Sequence, residues 1–136
     1  MIDLIPKVLD LNWQVFPAGD EYNSESLLRG GIEARNLVLL TLPRRPKAAE
    51  PLLAYVVLKQ DRRVIRLERI AVSPAARNAG IGRQMLRQAL KWRRRYRPGV
   101  LIWTYISADN PASINAHVHA GFGIEVIGPD WVWVMG

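Results

Sequence analysis

Residues 63–107 hold the arrangement that most restricts the fold. The run "RVIRLERIAV" (63–72) reads as an apolar strand. A polar segment rich in small residues, "SPAARNAGIG" (73–82), follows it. The helical period then takes over. Ile81, Met85, Leu86, Ala89 and Leu90 share one face, and Arg83, Arg87, Lys91 and Arg94 share another. Pro98-Gly99 ends this helix. "VLIWTYIS" (100–107) is a second strand, apolar throughout and so expected to be buried on both faces. Strand, helix and strand make a βαβ unit, whose strands should be parallel with a right-handed crossover.

The flanking segments extend this unit. Leu4, Val8, Leu11 and Val15 recur at helical spacing over 4–15, with Pro6 in the tolerant first turn. A short helix is expected near 24–30, capped by Ser24 and stopped by Gly30-Gly31. Residues 36–42 and 52–60 read as strands, and the tight turn "QDRR" makes a hairpin of 52–60 and 63–72. Residues 111–120 form a further helix, with Asn110 as N-cap, Gly121 at its end and Phe122 packing back. Short strands follow at 123–127 and 131–135. Trp131 and Trp133 share one side of the last, where they either line a binding site or cover the sheet. The order ααβββαβαββ places the chain in the α/β class.

Composition sets limits. A length of 136 residues, 49% of them hydrophobic, fits one domain with a modest core. With no cysteine, the chain offers no disulfide framework and no thiolate nucleophile. No apolar run approaches the roughly 20 residues of a membrane helix. No basic-then-apolar leader opens the chain, so a cytoplasmic protein with no membrane partner is expected. Charge is uneven: residues 1–40 carry −3 and the remainder +10. That division suits one cationic and one anionic partner, or it is ordinary surface charge.

Gly80 and Gly82 lie between a strand and the start of a helix. The first turn of a helix has N–H groups without partners and a positive dipole end. Glycine there lets an anion reach the backbone, so the turn suits phosphate, with Arg77 and Arg83 adding charge. A P-loop is excluded, because Arg83-Gln84 follow Gly82 where Lys-Ser/Thr would be needed. A dinucleotide fingerprint is excluded by Met85. A tight connection that binds nothing is the plain alternative.

The segment "RLERIAVSPAARNAGIGRQML" resembles the signature of the Gcn5-related N-acetyltransferases. In that pattern an apolar strand and a Pro precede Arg/Gln-x-x-Gly-x-Gly/Ala, matched here by Arg77, Gly80 and Gly82. "NPASINAHVHAGF" is similar to the family's second motif through Asn110, Ser113, Gly121 and Phe122. Residues 4–17 are similar to the first helix of the ribosomal-protein acetylating branch. The resemblance implies a GNAT fold, a mixed and mostly antiparallel sheet splayed between two parallel central strands, with helices on both faces. Only "MID" precedes the first helix, so the family's first strand is expected to be missing or very short. It also implies one domain over 1–136, with acceptor-side helices and a first hairpin strand in 1–51 and an acetyl-CoA-binding core in 52–127.

The implied reaction is direct transfer of acetyl from acetyl-CoA to a primary amine of a small molecule or peptide. By the resemblance, the main chain at Ile70, Ala71 and Val72 meets the thioester. Arg77, Asn78, Ala79, Gly80, Ile81, Gly82 and Arg83 hold the pyrophosphate, and Asn110 and Ser113 complete the cofactor site. Glu68 is the candidate base. Strict alternation would put Arg66, Glu68, Ile70 and Val72 on one face; a plain ion pair of Glu68 with Arg66 or Arg69 is the alternative. Another branch has its base at the position of Tyr105, whose reference pKa of about 10 suits an acceptor pocket better. His117 stands where the family usually has the tyrosine that protonates the leaving thiolate, as in the phosphinothricin-type branch. It shares a helix face with Asn110 and Ser113, beside a buried stripe of Ile114 and Val118, while His119 should face solvent. A packing role for His117 stays open. No metal site is expected.

Two other classes remain. One is a non-catalytic acyl-CoA-binding module. The other is a nucleic-acid-binding protein using 91–97, where basic and aromatic residues interleave in "KWRRRYRPG". The solvated end of a helix, where cations are favoured, accounts for that run more simply. Nucleic acid is therefore not expected as the main partner, and the chain is expected as a monomer or homodimer. The acidic first third leans the acceptor toward a cationic amine.

Overall fold

A computed structural model describes residues 2–136. Helix α1 spans Ile5–Val15 and α2 spans Glu25–Glu33. Strands β1 (Leu37–Leu42), β2 (Ala54–Gln60) and β3 (Val64–Val72) follow. Then come α3 (Ile81–Tyr96), β4 (Leu101–Ser107), α4 (Pro111–Ala120), β5 (Gly123–Ile127) and β6 (Trp131–Met135). This is the order expected from the sequence. The six strands form one sheet, β1-β2-β3-β4-β6-β5. All neighbours are antiparallel except β3 and β4, the expected parallel pair. No strand precedes α1 among the described residues.

Each face of the sheet has its own core. Val8 and Leu11 of α1, Leu28 of α2, and Tyr55, Val57 and Ala71 pack together on one side. Met85, Leu86, Ala89 and Leu90 of α3 pack with Val56, Leu58, Ile65, Leu67, Ile102 and Val134 on the other. These are the apolar stripe of a period near 3.6 and the alternate residues of strands, meeting as their periodicities require.

Three local expectations need correction. Strand β4 is buried on one face only: Ile102, Thr104 and Ile106 are buried, while Trp103 and Tyr105 are half-buried on the other. A continuous apolar run overstated its burial because aromatic residues tolerate a partly wet face. Val118 is 41% exposed rather than part of a buried stripe. Gly30 and Gly31 do not stop α2, which continues to Glu33. Gly31 is there for packing, since a Cβ would lie 2.3 Å from Leu37 Cδ1. Around Gly30 nothing lies within 4 Å of that position.

These adjacent glycines should therefore respond in opposite directions. Gly30→Ala should stabilise by about 0.5–1 kcal/mol, because alanine is the better helix former. Gly31→Ala should destabilise by about 1–3 kcal/mol, as overpacking against Leu37 outweighs the same gain. Urea unfolding of the two variants measures the difference; equal midpoints would mean Leu37 yields without cost.

Candidate active site

Strand β3 carries the centre of the site, and an irregularity shapes it. Val57 of β2 pairs with Arg69, and the next residue, Leu58, pairs with Leu67. Glu68 is thus an extra residue, a β-bulge. The bulge breaks strict alternation. Ile65 and Leu67 face the α3 core before it, and Ile70 and Val72 after it. Ala71 faces the α1 core. The expectation that Arg66, Glu68, Ile70 and Val72 share a face is therefore corrected: Ile70 and Val72 lie on the opposite side from Arg66 and Arg69.

Two residues before the bulge β3 leaves β4. The two strands pair only at Val64–Leu101, Ile65–Ile102 and Arg66–Trp103. Thr104 Oγ1 reaches across to the Leu67 carbonyl at 2.9 Å, and no ladder continues past it. Ser73 N–H donates to Leu53, toward β2. The two-residue repeat of a strand then turns the amides of Ile70 and Val72 the other way, into the gap. This gap is the expected splay between parallel strands.

At the mouth of the gap lies the glycine turn. Asn78 (φ 65°) and Gly80 (φ 75°) are both left-handed. Gly80 caps α3, and its carbonyl accepts from Gln84. The preceding amides of the first turn have no intrahelical acceptor. Residue 82 has no positive φ, and a Cβ there would stand 3.8 Å from Val72 Cγ2, an ordinary contact. The fold does not need glycine at 82. Left-handed residues in a turn that leads into the free amides of a helix N-terminus suit an anion. Arg77 and Arg83 flank it. Asn110 caps α4, its Oδ1 accepting from Ser113 N–H at 3.2 Å.

The opposite side of the gap, toward α1, is polar and aromatic. Glu68 has a side chain only 12% exposed. Its Oε2 lies 3.2 Å from Arg66 Nε, but the geometry is too poor for a hydrogen bond, and both atoms are buried without a hydrogen-bond partner. Tyr22 stands against Glu68; burial and then that carboxylate push the phenol well above its ordinary pKa. Arg66 Nη2 donates to the Tyr105 hydroxyl at 2.8 Å, and its guanidinium lies over the rings of Trp103 (5.3 Å) and Tyr105 (4.8 Å). Trp133 stacks on Trp103 at 4.8 Å, and Trp131 meets Tyr105 edge-on at 5.0 Å. Trp131 and Trp133 remain 48% and 40% exposed, so this wall is open.

Behind Glu68 a second network fixes the strand. Arg69 Nη2 donates to Asp20 Oδ1 at 2.8 Å, and its guanidinium lies 3.9 Å from the Phe16 ring centre. Buried Asn12 donates to Asp20 Oδ2 (3.0 Å) and Asn23 Oδ1 (2.7 Å), and accepts from the Tyr55 hydroxyl. Burial pushes the Asp20 carboxyl up, but hydrogen bonds from Arg69 and Asn12 outweigh it and hold it below its ordinary pKa. None of Asn12, Asp20, Tyr22 or Arg69 was marked by a motif. Asn12 did leave a signal: a polar residue within an apolar helical stripe.

His117 is 3% exposed, with its ring edge-on to Phe122 at 5.3 Å. Its Nδ1 lies 2.7 Å from the Ser113 carbonyl, so Nδ1 carries the proton. Nε2 is buried with no partner. Burial lowers the pKa, against a smaller opposing effect of the Ser113 bond, and the resting ring is neutral. His119 is exposed as expected.

The sequence profile of the acetyltransferase (GNAT) family matches residues 5–122. Comparison with curated protein sequences gives no match. Among solved structures, the Vibrio cholerae spermidine N-acetyltransferase in complex with CoA and spermine superposes with a TM-score of 0.74 at 16% identity, over 98% of this chain and 89% of that one. The ribosomal-protein-S18-alanine N-acetyltransferase of Escherichia coli gives 0.72 at 17% identity, over 96% and 85%. At such identities the likeness is one of fold.

The buried neutral His117 makes stability depend on pH. Its folded pKa lies below the unfolded value of about 6.5, so the unfolded chain takes up the proton first. The contribution is whole above that value and is lost as pH falls toward the lowered folded pKa. Unfolding free energy should drop by up to about 1.4 kcal/mol per pH unit in that window. His117→Gln should flatten the dependence; an unchanged slope would mean the ring is free to charge in place.

Proposed function

The chain belongs to the acetyltransferase (GNAT) family, and on that premise we propose that it transfers acetyl from acetyl-CoA directly to a primary amine held against the Trp103–Tyr105–Trp131–Trp133 wall. One observation carries the reading: β3 parts from β4 beside a turn of bare backbone, so that the two-residue repeat of the strand directs the amides of Ile70 and Val72 into the gap. Acetyl-CoA supplies the acetyl group as a reactive thioester. The turn at Arg77–Arg83 suits its pyrophosphate, because space at Gly82 is reserved that packing does not require.

Each residue then has a task. Val72 N–H, or Ile70 N–H, donates to the acetyl carbonyl oxygen and stabilises the charge that grows there. Ala71 lies between them and turns its side chain into the α1 core. Glu68 Oε2, buried with no hydrogen-bond partner, takes a proton from the acceptor amine directly or through one water. Arg66 keeps that carboxylate oriented. Asn78, Ala79 and Ile81 shape the turn, and Asn110 and Ser113 hold the end of α4 beside it. To His117 Nε2, buried without a partner, we assign the exchange of a proton with the departing sulfur. As a neutral ring it must first acquire one, so the larger part falls to Glu68. The acceptor is a small-molecule or peptide amine. A screen of polyamines and peptide N-termini for CoA release identifies it, and release with none of them would favour an acyl-CoA-binding module.

Two variants divide the site. Gly82→Val should fold, and weaken acetyl-CoA binding about tenfold or more, equal to about 1.4 kcal/mol. Calorimetry reads this directly; unchanged affinity would assign the glycine to the turn alone.

Glu68→Gln keeps the shape and removes the base. It should lower kcat by about 10²-fold, within the range for acid–base residues, with acetyl-CoA affinity nearly intact. Activity within about twofold of the parent would leave Glu68 only as the partner of Arg66.

A further inference from the structure

Helix α3 has an outer face that, beyond Arg83 in its first turn, acetyl transfer does not use. Its 16 residues include Arg83, Arg87, Lys91, Arg93, Arg94 and Arg95 and no acid. Arg83, Arg87, Lys91 and Arg95 stand one per turn, and all are exposed. Like charges at that spacing destabilise a helix. No ion pair among the described residues relieves them. The helix dipole favours cations in the last turn, which accounts for Arg93, Arg94 and Arg95 but not for Arg87 and Lys91. Arg87, Arg93 and Arg94 line an open cavity of about 230 Å³ against the end of α4. Arg93 Nη1 donates to the Val100 carbonyl, while its buried Nε has no partner.

The basic surface turns the corner at the end of the helix. Arg97 donates to the Gln60 side chain (2.9 Å) and the Arg62 carbonyl (3.1 Å). This ties the β2–β3 turn, with exposed Arg62 and Arg63, beside the α3 terminus. At the end of the α3 row, beside Arg95, Tyr96 is 57% exposed. Trp92 backs its ring at 5.7 Å, and the Arg95 guanidinium lies 5.4 Å from its centre.

We infer that this face binds a single-stranded nucleic acid, with phosphates along Arg87, Lys91, Arg94 and Arg95 and a base stacked on Tyr96. Two observations favour it over an acidic protein. An open, backed aromatic ring adjoins Arg95, the last cation of the row, the combination that takes unpaired bases. The cations also curve from the helix onto a turn, a path that a flexible polyanion follows and a straight acidic helix does not. A duplex offers no free base to Tyr96.

The test uses the full chain saturated with CoA, so that the glycine turn is filled, and a labelled oligouridylate of about 16 nucleotides. Anisotropy titrations should give a slope of log K against log salt near about −3, for four phosphates on a single strand. Joint replacement of Arg87→Gln, Lys91→Gln, Arg94→Gln and Arg95→Gln should flatten that slope and weaken binding about tenfold or more. Tyr96→Ala should weaken it about fivefold or more and leave the slope unchanged. Circular dichroism confirms that both variants are folded, independently of any acetyl transfer. The proposal is overturned by no binding, by polyglutamate or a duplex binding as tightly as the oligouridylate, by loss of binding when CoA is added, or by an indifferent Tyr96→Ala.

Discussion

The extra residue at Glu68 determines how the two halves of the molecule meet. A bulge bends its strand and increases its twist, and here the β3–β4 ladder ends two residues before it. It also exchanges the faces of the strand. Without it, Arg69 would occupy the alternate position that belongs to the α3 core with Ile65 and Leu67. With it, Arg69 points among Asp20, Phe16 and Tyr22, and Ile70 and Val72 complete the apolar side. A buried amide without a partner costs about 1–3 kcal/mol, so an open gap between central strands is expensive. Thr104, bonding the Leu67 carbonyl, recovers part of that cost at the fork.

The network on the α1 side follows from the same bulge. A cation brought beneath helices must be paired and hydrogen-bonded. Asp20 supplies the charge, and Asn12 positions Asp20 while accepting from Tyr55. The turn after α1 is thereby tied to β3 through side chains rather than backbone. Phe16 and Tyr22 cover Arg69, and Tyr22 also closes over Glu68. The acid that faces the gap is thus held by the same contacts that anchor the first two helices.

Much of this was legible in the sequence because it rests on local rules. The βαβ unit, the cap at Asn110 and the six strand positions follow from periodicity and turn chemistry. What escaped depends on tertiary placement. Alternation assigned Glu68 to the face of Ile70 because a bulge leaves no mark in a single chain. Gly30-Gly31 read as a stop because only the fold shows Leu37 pressing on residue 31. Trp103 and Tyr105 read as buried because apolar character does not reveal that the β4–β6 side lacks a covering helix. The chemical roles of Glu68 and His117 were indicated by resemblance, and the geometry adds to each a buried atom without a partner.

The acceptor side poses a last question, whether charge or aromatic surface selects the amine. The acidic first third suggested charge. In place, Asp20 is paired with Arg69, Asp3 and Glu25 with Arg29, and Glu68 lies beside Arg66. Asp10, Glu21 and Glu33 keep no ion pair among the described residues, so only part of that charge is uncompensated, and exposed pairs contribute only about 0–1 kcal/mol each. The aromatic wall is different in kind. Arg66 already lies over Trp103 and Tyr105, so the wall accepts a cation in the folded protein. Such contacts are worth about 0.5–2 kcal/mol, rising as water is excluded. They also hold an alkyl chain, which a carboxylate does not. On the proposed reading, an amine lying across Trp131 and Trp133 keeps its apolar stem on the rings while its nitrogen gives up a proton to Glu68. On that reading the alkyl stem rather than the charge supplies much of the recognition. The wall therefore opposes the deprotonation that transfer requires less than a dense acidic pocket, which would hold the amine in its charged, unreactive form.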